Sequence, residues 1–345
     1  MHSIHTMSHP LDCYASFTDL DALQNISKTP LRKSFRVNTL KSSVDDFQKW
    51  AHEKKWTLDP VPWCSEGFFV EQKVSSFEPF DGAQDRRPQD DTTTSALGKD
   101  LLHQLGHTYM QEAASMLPIA LLDPKPGETI LDMAAAPGSK TTQIAAAMQN
   151  TGVIIANDIQ EKRLWTLRAA LQRSGVLNTI LTKKRGEWFG KQMTECFDRV
   201  LCDAPCSAQG VCRKDPKALK YCNPKRVKSL QNTQIALLES AVHSAKVGGR
   251  IVYSTCTLTP EENEGVILDI LKKFDGKIEV VKDLGIGTWD FGQAIKDSEI
   301  VQKSLCPTSQ VLSPFLRLWP HTFATEGFFS AVLTTTDHTL DVLAQ

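Results

Sequence analysis

The 345-residue sequence has no apolar run long enough to cross a bilayer. Its beginning, with His2, His5 and His9, has no apolar core of the kind a secretion signal needs. Net charge is nearly absent: 39 Lys and Arg stand against 40 Asp and Glu, which leaves −1. That balance excludes a global attraction to polyanions, so any nucleic-acid affinity must come from local patches. There is no C-x-x-C pair either. Nine cysteines without a leader argue for reduced thiols and a cytoplasmic location. Cys202, Cys206 and Cys212 lie close together but lack the paired spacing of a zinc site, so no metal is expected. Internal repeats and low-complexity tracts are missing too. What remains is an ordinary globular composition, 41% hydrophobic and 23% charged, long enough for a large domain with a smaller companion.

The organisation falls into two parts. Residues 36–70 read as a small α/β unit, with a strand at 35–40, an amphipathic helix at 44–55 and a returning strand at 68–70. Residues 81–95 are polar, contain Asp90-Asp91-Thr92-Thr93-Thr94, and have the composition of an exposed loop. The main boundary is placed there, separating 1–95 from 96–345. Downstream, helices are expected at 110–122, 140–148, 160–174, 224–245 and 260–274. Strands are expected at 129–133, 152–157, 179–182, 199–202, 250–254 and 328–333. This alternation predicts an α/β fold with a mostly parallel sheet and helices on both faces.

In such a sheet the ligand lies beyond the carboxyl ends of the strands. The stretch Leu131-Asp132-Met133-Ala134-Ala135-Ala136-Pro137-Gly138-Ser139-Lys140 reads as a buried strand breaking into a turn before a helix. Gly138 admits close backbone approach, and the free amides where Ser139 and Lys140 open the helix favour a carboxylate or phosphate. A simple loop would explain the Gly and Pro equally well. A dinucleotide wants G-x-G-x-x-G, of which only Gly138 is present, and Ser139 separates Gly138 from Lys140 where a triphosphate loop has Gly-Lys. S-adenosylmethionine carries no phosphate and needs fewer glycines, but it needs an acid for its ribose hydroxyls. Asp158, about 20 residues beyond Gly138, suits that task.

Two thiols follow apolar runs, Cys206 in Asp203-Ala204-Pro205-Cys206 and Cys256 in Tyr253-Ser254-Thr255-Cys256, which puts both at strand ends. The layout suggests a methyl donor beside a reactive sulfur. Most cytosolic cysteines are inert core residues. Cys256 stands out by its position between a strand and Thr257-Leu258-Thr259-Pro260-Glu261-Glu262-Asn263-Glu264, while Cys206 is the rival nucleophile. Asp203 is either a turn-capping residue or a carboxylate that hydrogen-bonds the substrate base.

From about residue 36 to residue 333 these motifs resemble the Sun family of RNA (cytosine-C5)-methyltransferases, and within it the bacterial RsmF-like 16S rRNA enzymes. The resemblance implies a Rossmann-like class I methyltransferase sheet over 96–345, a small RNA-side α/β domain over 1–95, and S-adenosylmethionine as donor. Cytosine C5 is too weak a nucleophile to take the methyl directly, so a thiolate must first add to C6. In the family both cysteine motifs occur, which implies that Cys256 attacks and Cys206 assists resolution of the adduct. The family's Ala-Pro-Gly turn holds the methionine part of the donor, which implies contacts from Ala134, Ala135, Ala136, Pro137 and Gly138. Arg163 and Lys162 resemble residues that help fix the donor beside Asp158. Lys140 resembles a lysine that faces the target base, and with Asp203 it borders both donor and base. One departure is clear: where the family usually has an Asp near the adenine, this sequence reads Lys183-Lys184-Arg185-Gly186-Glu187.

A base inside a duplex is unreachable, so the target must be single-stranded or extruded. Basic residues cluster at Arg32, Lys33, Arg36 and Lys41, at Lys183, Lys184 and Arg185, and at Arg213, Lys214, Lys217, Lys220, Lys225, Arg226 and Lys228. They are solvated surface or phosphate contacts. Arg36-Val37-Asn38-Thr39 matches the family's RNA-side appendage; Arg317-Leu318-Trp319-Pro320-His321 and Gly327-Phe328-Phe329 match its closing motif, with His321 a structural histidine. RsmF-like enzymes usually continue into a C-terminal RNA-binding domain, which this sequence is expected to lack. Small-subunit rRNA is the expected substrate, with tRNA as the alternative and a non-enzymatic RNA-binding or assembly factor as the rival function.

Overall fold

The computed structural model describes residues 9–71, 100–221, 223–281, 284 and 315–339. The polar loop at 81–95 and the expected boundary within it lie outside the described residues. The smaller sheet consists of β1 (Ser34–Val37), β2 (Thr57–Val61), β3 (Cys64–Glu71) and β4 (Thr108–Met110), in the order β2-β3-β1-β4. All its pairings are antiparallel. The helix Val44–Glu53 is capped by Ser43, whose hydroxyl accepts from the Asp46 amide at 3.1 Å. It buries Phe47 and Ala51, one turn apart, against Phe35 and Phe68.

Strand β4 stands where the helix over 110–122 was expected to begin. Helix forms only at Leu117–Leu122, after a short 3₁₀ turn Ala114–Met116. Pro118, in its first turn, has no N–H to give and so starts a helix rather than continuing one. Upstream, pairing of Tyr109 with Arg36 draws the chain into extended form, a distant partner that local periodicity does not reveal.

The larger sheet is built from β5 (Thr129–Asp132), β6 (Val153–Asn157), β7 (Thr179–Thr182), β8 (Phe197–Asp203), β9 (Ala245–Thr255), β10 (Ile278–Val280), β11 (Leu316–Leu318) and β12 (Phe328–Thr335). Its order is β10-β12-β9-β8-β5-β6-β7, with β11 beside β12. Strands β5 to β9 run parallel, and β12 is antiparallel to β9. Alternate residues feed two cores, so the expected two-faced α/β sheet is present. Ile130, Ile154, Leu201 and Val252 pack on one face with the helices Leu117–Leu122, Ser139–Ala147 and Glu161–Ser174. Leu131, Ile155, Val200 and Ile251 pack on the other with Pro224–Ser244 and Glu264–Lys273.

Two further features shape the site. The expected helix over 260–274 is broken: a 3₁₀ turn Pro260–Glu262 is followed by Asn263 at φ −112°, ψ −98°, and helix resumes at Glu264. Residues before β1 join the larger sheet's periphery, where Leu11, Tyr14 and Leu23 bury against Leu258 and Trp319. Among the described residues, no helix is long and apolar enough to cross a membrane.

Candidate active site

The chain leaves β5 outward to β6 and β7 and then returns to the other side of β5 as β8, so a crevice opens at the carboxyl ends of β5 and β8. The turn after β5 lines it. Met133 N donates to Leu201 O and Ala135 N to Asn157 O, at 3.0 and 2.7 Å, which ties the turn to both neighbouring strands. Arg163 donates to Ala136 O and pairs with Asp158 at 3.1 Å. The other Asp158 oxygen accepts from Gln160 N at 2.9 Å. Gly138 adopts φ +112°, and a Cβ there would meet Leu167 Cδ1 at 3.0 Å and Ala170 Cβ at 3.1 Å. The following helix, Ser139–Ala147, has no side-chain cap, so its first amides are open toward the crevice.

Lys140 and Asp203 meet across the crevice at 2.8 Å. Burial opposes the charge on Lys140, but Asp203, with smaller contributions from Asp132 and Cys256, holds the ammonium above its ordinary value. The second Asp203 oxygen accepts from Ser254 Oγ at 2.8 Å, across the register that sets these two residues side by side on β8 and β9. Lys140 Nζ also lies 5.7 Å from the centre of the Phe328 ring.

The two sulfurs Cys206 Sγ and Cys256 Sγ lie 3.4 Å apart, both half-buried. Contact with Cys256, then burial, pushes the Cys206 thiol well above its ordinary range. Burial alone accounts for most of the rise of Cys64 to about 12. The turn carrying Cys256 is held by a close crossing of two glycines. Gly210 N donates to Cys256 O at 3.0 Å, Gly327 N donates to Gly210 O at 2.9 Å, and a Cβ on Gly210 would sit 2.1 Å from Gly327 O.

The sequence reading gave Glu262 and Asn263 no role of their own, named Gly327 only within the closing motif, and missed Gly210. An acid in a Pro-Glu-Glu-Asn-Glu run looks like the first turn of a surface helix, and only the tertiary fold shows that Glu262 and Asn263 are fully buried.

Several basic residues read as solvated surface or phosphate contacts instead bond to other parts of the chain. Arg36 is 1% exposed and donates to Gln111 Oε1 and Thr142 Oγ1. Lys41 Nζ donates to the carbonyls of Leu105 and Arg173, and Arg213 donates to those of Pro30 and Thr325. Lys41 and Arg213 thus satisfy main-chain carbonyls and Arg36 side-chain oxygens, and burial removes Arg36 from the phosphate-binding patch. Lys214, Lys217 and Lys225 remain exposed. His321 Nε2 meets Thr18 Oγ1 at 3.1 Å, away from the thiols. Among the described residues, no group of three His, Cys, Asp or Glu side chains is arranged to hold a metal ion.

This sheet, with its strand order and smaller antiparallel unit, has the fold of the class I methyltransferases. Residues 119–334 match the model of the 16S rRNA methyltransferase RsmB/F family, and residues 7–113 match the N-terminal domain of 16S rRNA methyltransferase RsmF. The chain belongs to the RsmB/F family. It is 42% identical over 318 residues to ribosomal RNA small subunit methyltransferase F of Aliivibrio fischeri (strain MJ11), covering 92% of this chain. To the protein of the same name from Erwinia tasmaniensis it is 41% identical over 322 residues, covering 91%. The chain spans 60% of the length of each of these curated relatives. Among solved structures, a methyltransferase homolog protein from Pyrococcus horikoshii is 35% identical with a TM-score of 0.70, covering 91% of this chain and 90% of that one. NSun6 from Pyrococcus horikoshii with SFG shares the fold at a TM-score of 0.75 and 24% identity, covering 96% and 98%.

Proposed function

We propose that the chain transfers a methyl group from S-adenosylmethionine to C5 of a cytosine in 16S rRNA, giving 5-methylcytosine, through a covalent adduct of Cys256 with C6. The observation that carries this reading is the 3.4 Å approach of two half-buried thiols at the ends of adjacent parallel strands. Contact with Cys256 and burial favour the protonated thiol of Cys206, and the family pattern of two cysteine motifs supports Cys256 as the sulfur that attacks C6. Asp203, held by Lys140 and Ser254, faces the crevice with a carboxylate suited to the N3 and amine edge of cytosine as charge builds during attack. Once C5 has been methylated, its proton passes to water, the electron pair of that C–H bond restores the C5–C6 double bond, and Cys256 leaves C6 as a thiolate with the help of Cys206.

The residues at the turn fit the donor. The uncapped helix start at Gly138 suits a carboxylate, and Asp158 at the end of β6 suits ribose hydroxyls. When bound there, S-adenosylmethionine supplies the electrophilic methyl. The names of the curated relatives support small-subunit rRNA as substrate, and a cytoplasmic location goes with it.

The test is a denaturing gel with 16S rRNA transcript and donor. Cys256→Ala should abolish methylation and form no protein–RNA adduct, whereas Cys206→Ala should accumulate one. Adduct with Cys256→Ala and none with Cys206→Ala would reverse the roles, and activity in both variants would refute covalent catalysis. A wild-type chain that binds RNA but never methylates it would be an assembly factor instead.

A further inference from the structure

Strands β8 and β9 are parallel neighbours with Asp203 opposite Ser254, so their two turns leave the sheet side by side. How closely Cys206 and Cys256 approach then depends on what holds each turn. Two adjacent buried residues do so, Glu262 at the flanks of Cys206 and Asn263 at those of Cys256. The Glu262 carboxylate accepts from Ser207 N at 3.0 Å and from Ser207 Oγ, and from Gln234 Nε2 at 2.8 Å. The same Gln234 amide donates to Pro205 O at 2.9 Å. Glu262 therefore fixes the residue after Cys206 directly and the residue before it through Gln234. Asn263 Oδ1 accepts from Thr255 Oγ1 at 2.5 Å, and Asn263 Nδ2 donates to Thr257 O at 3.1 Å. Asn263 thus fixes both flanks of Cys256. The break in the helix at Asn263 is what turns consecutive side chains toward two different turns.

We propose that Glu262 and Asn263 are positioning residues, each seating one of the two reaction thiols, Glu262 that of Cys206 and Asn263 that of Cys256. The proposal rests on the covalent mechanism above, but it makes its own claim: loosening each brace should reproduce the defect of the thiol it holds. A buried polar network that only stabilised the fold would weaken both thiols alike, because its loss would spread through one shared core. Here the side-chain bonds of Glu262 go to the flanks of Cys206 and those of Asn263 to the flanks of Cys256, while Ser207 Oγ, 3.0 Å from Thr257 Oγ1, and Gln209 Oε1, which accepts from both hydroxyls, join the two turns.

The experiment follows adduct formation and decay on a denaturing gel in single turnover, with the whole chain, S-adenosylmethionine and 16S rRNA transcript. Glu262→Gln replaces an acceptor by a donor facing Ser207 Oγ and Gln234, and it should prolong the adduct on the order of 10-fold while forming it at a near-normal rate. Asn263→Ala should slow adduct formation on the order of 10-fold or more, with no accumulation. Because either change is buried, Gln234→Leu and Thr255→Val serve as near-isosteric second variants of each brace, expected to act in the same directions. Donor affinity by calorimetry should stay unchanged in all four.

Cys206→Ala and Cys256→Ala run alongside. If those two exchange phenotypes, the mechanism is reversed, yet positioning stands if Glu262→Gln still follows Cys206→Ala and Asn263→Ala still follows Cys256→Ala. A second readout needs no turnover: diamide, reduced to its hydrazine as it takes one hydrogen from each thiol, should join Cys206 to Cys256 in the wild type. Peptide mapping should show a lower yield of that disulfide in the brace variants. Unchanged disulfide yields, or identical defects in both sets of variants that track reduced thermal stability, overturn the proposal.

Discussion

Asp132 closes β5 with one oxygen bound by Thr141 Oγ1 at 2.7 Å, and burial pushes its carboxyl up to about 7. In the unfolded chain the same group titrates near 4. Between these values the folded state holds a proton that the unfolded state has released, so this contribution is full below about pH 4 and is lost as pH rises to about 7. Asp132→Asn should therefore gain stability relative to wild type across that window, by a few kcal/mol at pH 8. Thermal denaturation from pH 4 to pH 8 checks it, and a difference that does not change with pH would refute it. At this scale the sequence was most legible in placement: Asp158, Asp203, Cys206 and Cys256 all lie at or just beyond strand ends, as expected. It was least legible where a polar side chain is buried by partners far along the chain, as for Glu262 and Gln234, whose roles exist only once β8 and β9 lie side by side.

Among the elements, the turn from β5 into Ser139–Ala147 depends most on one position. Gly138 is held at φ +112°, and an added Cβ would press on Leu167 and Ala170 of the helix Glu161–Ser174. Gly138→Ala should cost about 1–3 kcal/mol through backbone strain. Because the same turn is proposed to hold the donor, S-adenosylmethionine affinity should fall as well. Calorimetry and denaturant unfolding measure the two effects, and a drop in stability with unaltered affinity would detach the glycine from the site. Long elements with strong periodicity were readable: Pro224–Ser244 and Glu161–Ser174 end within a residue or two of expectation. Short strands such as β4, β10 and β11, three residues each, carry too few side chains to show a period, and pairing alone creates them.

Across the whole molecule, the cations divide into those that hold the chain together and those that face solvent. Arg36, Lys41 and Arg213 bridge the smaller unit, the N-terminal segment and the larger sheet. Lys214, Lys217 and Lys225 remain exposed near the thiol turns. Replacing those three lysines by glutamine should lower RNA affinity and flatten its dependence on salt, by up to about 0.7–0.9 in logarithmic slope for each phosphate no longer neutralised. Arg213→Gln should instead lower the melting temperature. Binding titrations at several salt concentrations decide between them, and an unaltered slope in the lysine variant would make these residues ordinary solvated surface. The segment before β1 adds a consequence for synthesis. Thr18 bonds to His321, 303 residues later, and Leu11, Tyr14 and Leu23 are covered by Leu258 and Trp319. A ribosome adds about 5–20 residues per second, so these apolar side chains wait roughly 15–60 s for their partners. The turn that bears Cys256 is closed only when Gly327 reaches Gly210. The nascent polypeptide therefore carries an uncovered apolar segment until residues 258–321 have been made, a standing target for chaperones, and the turn at Cys256 cannot close before residue 327 has been added.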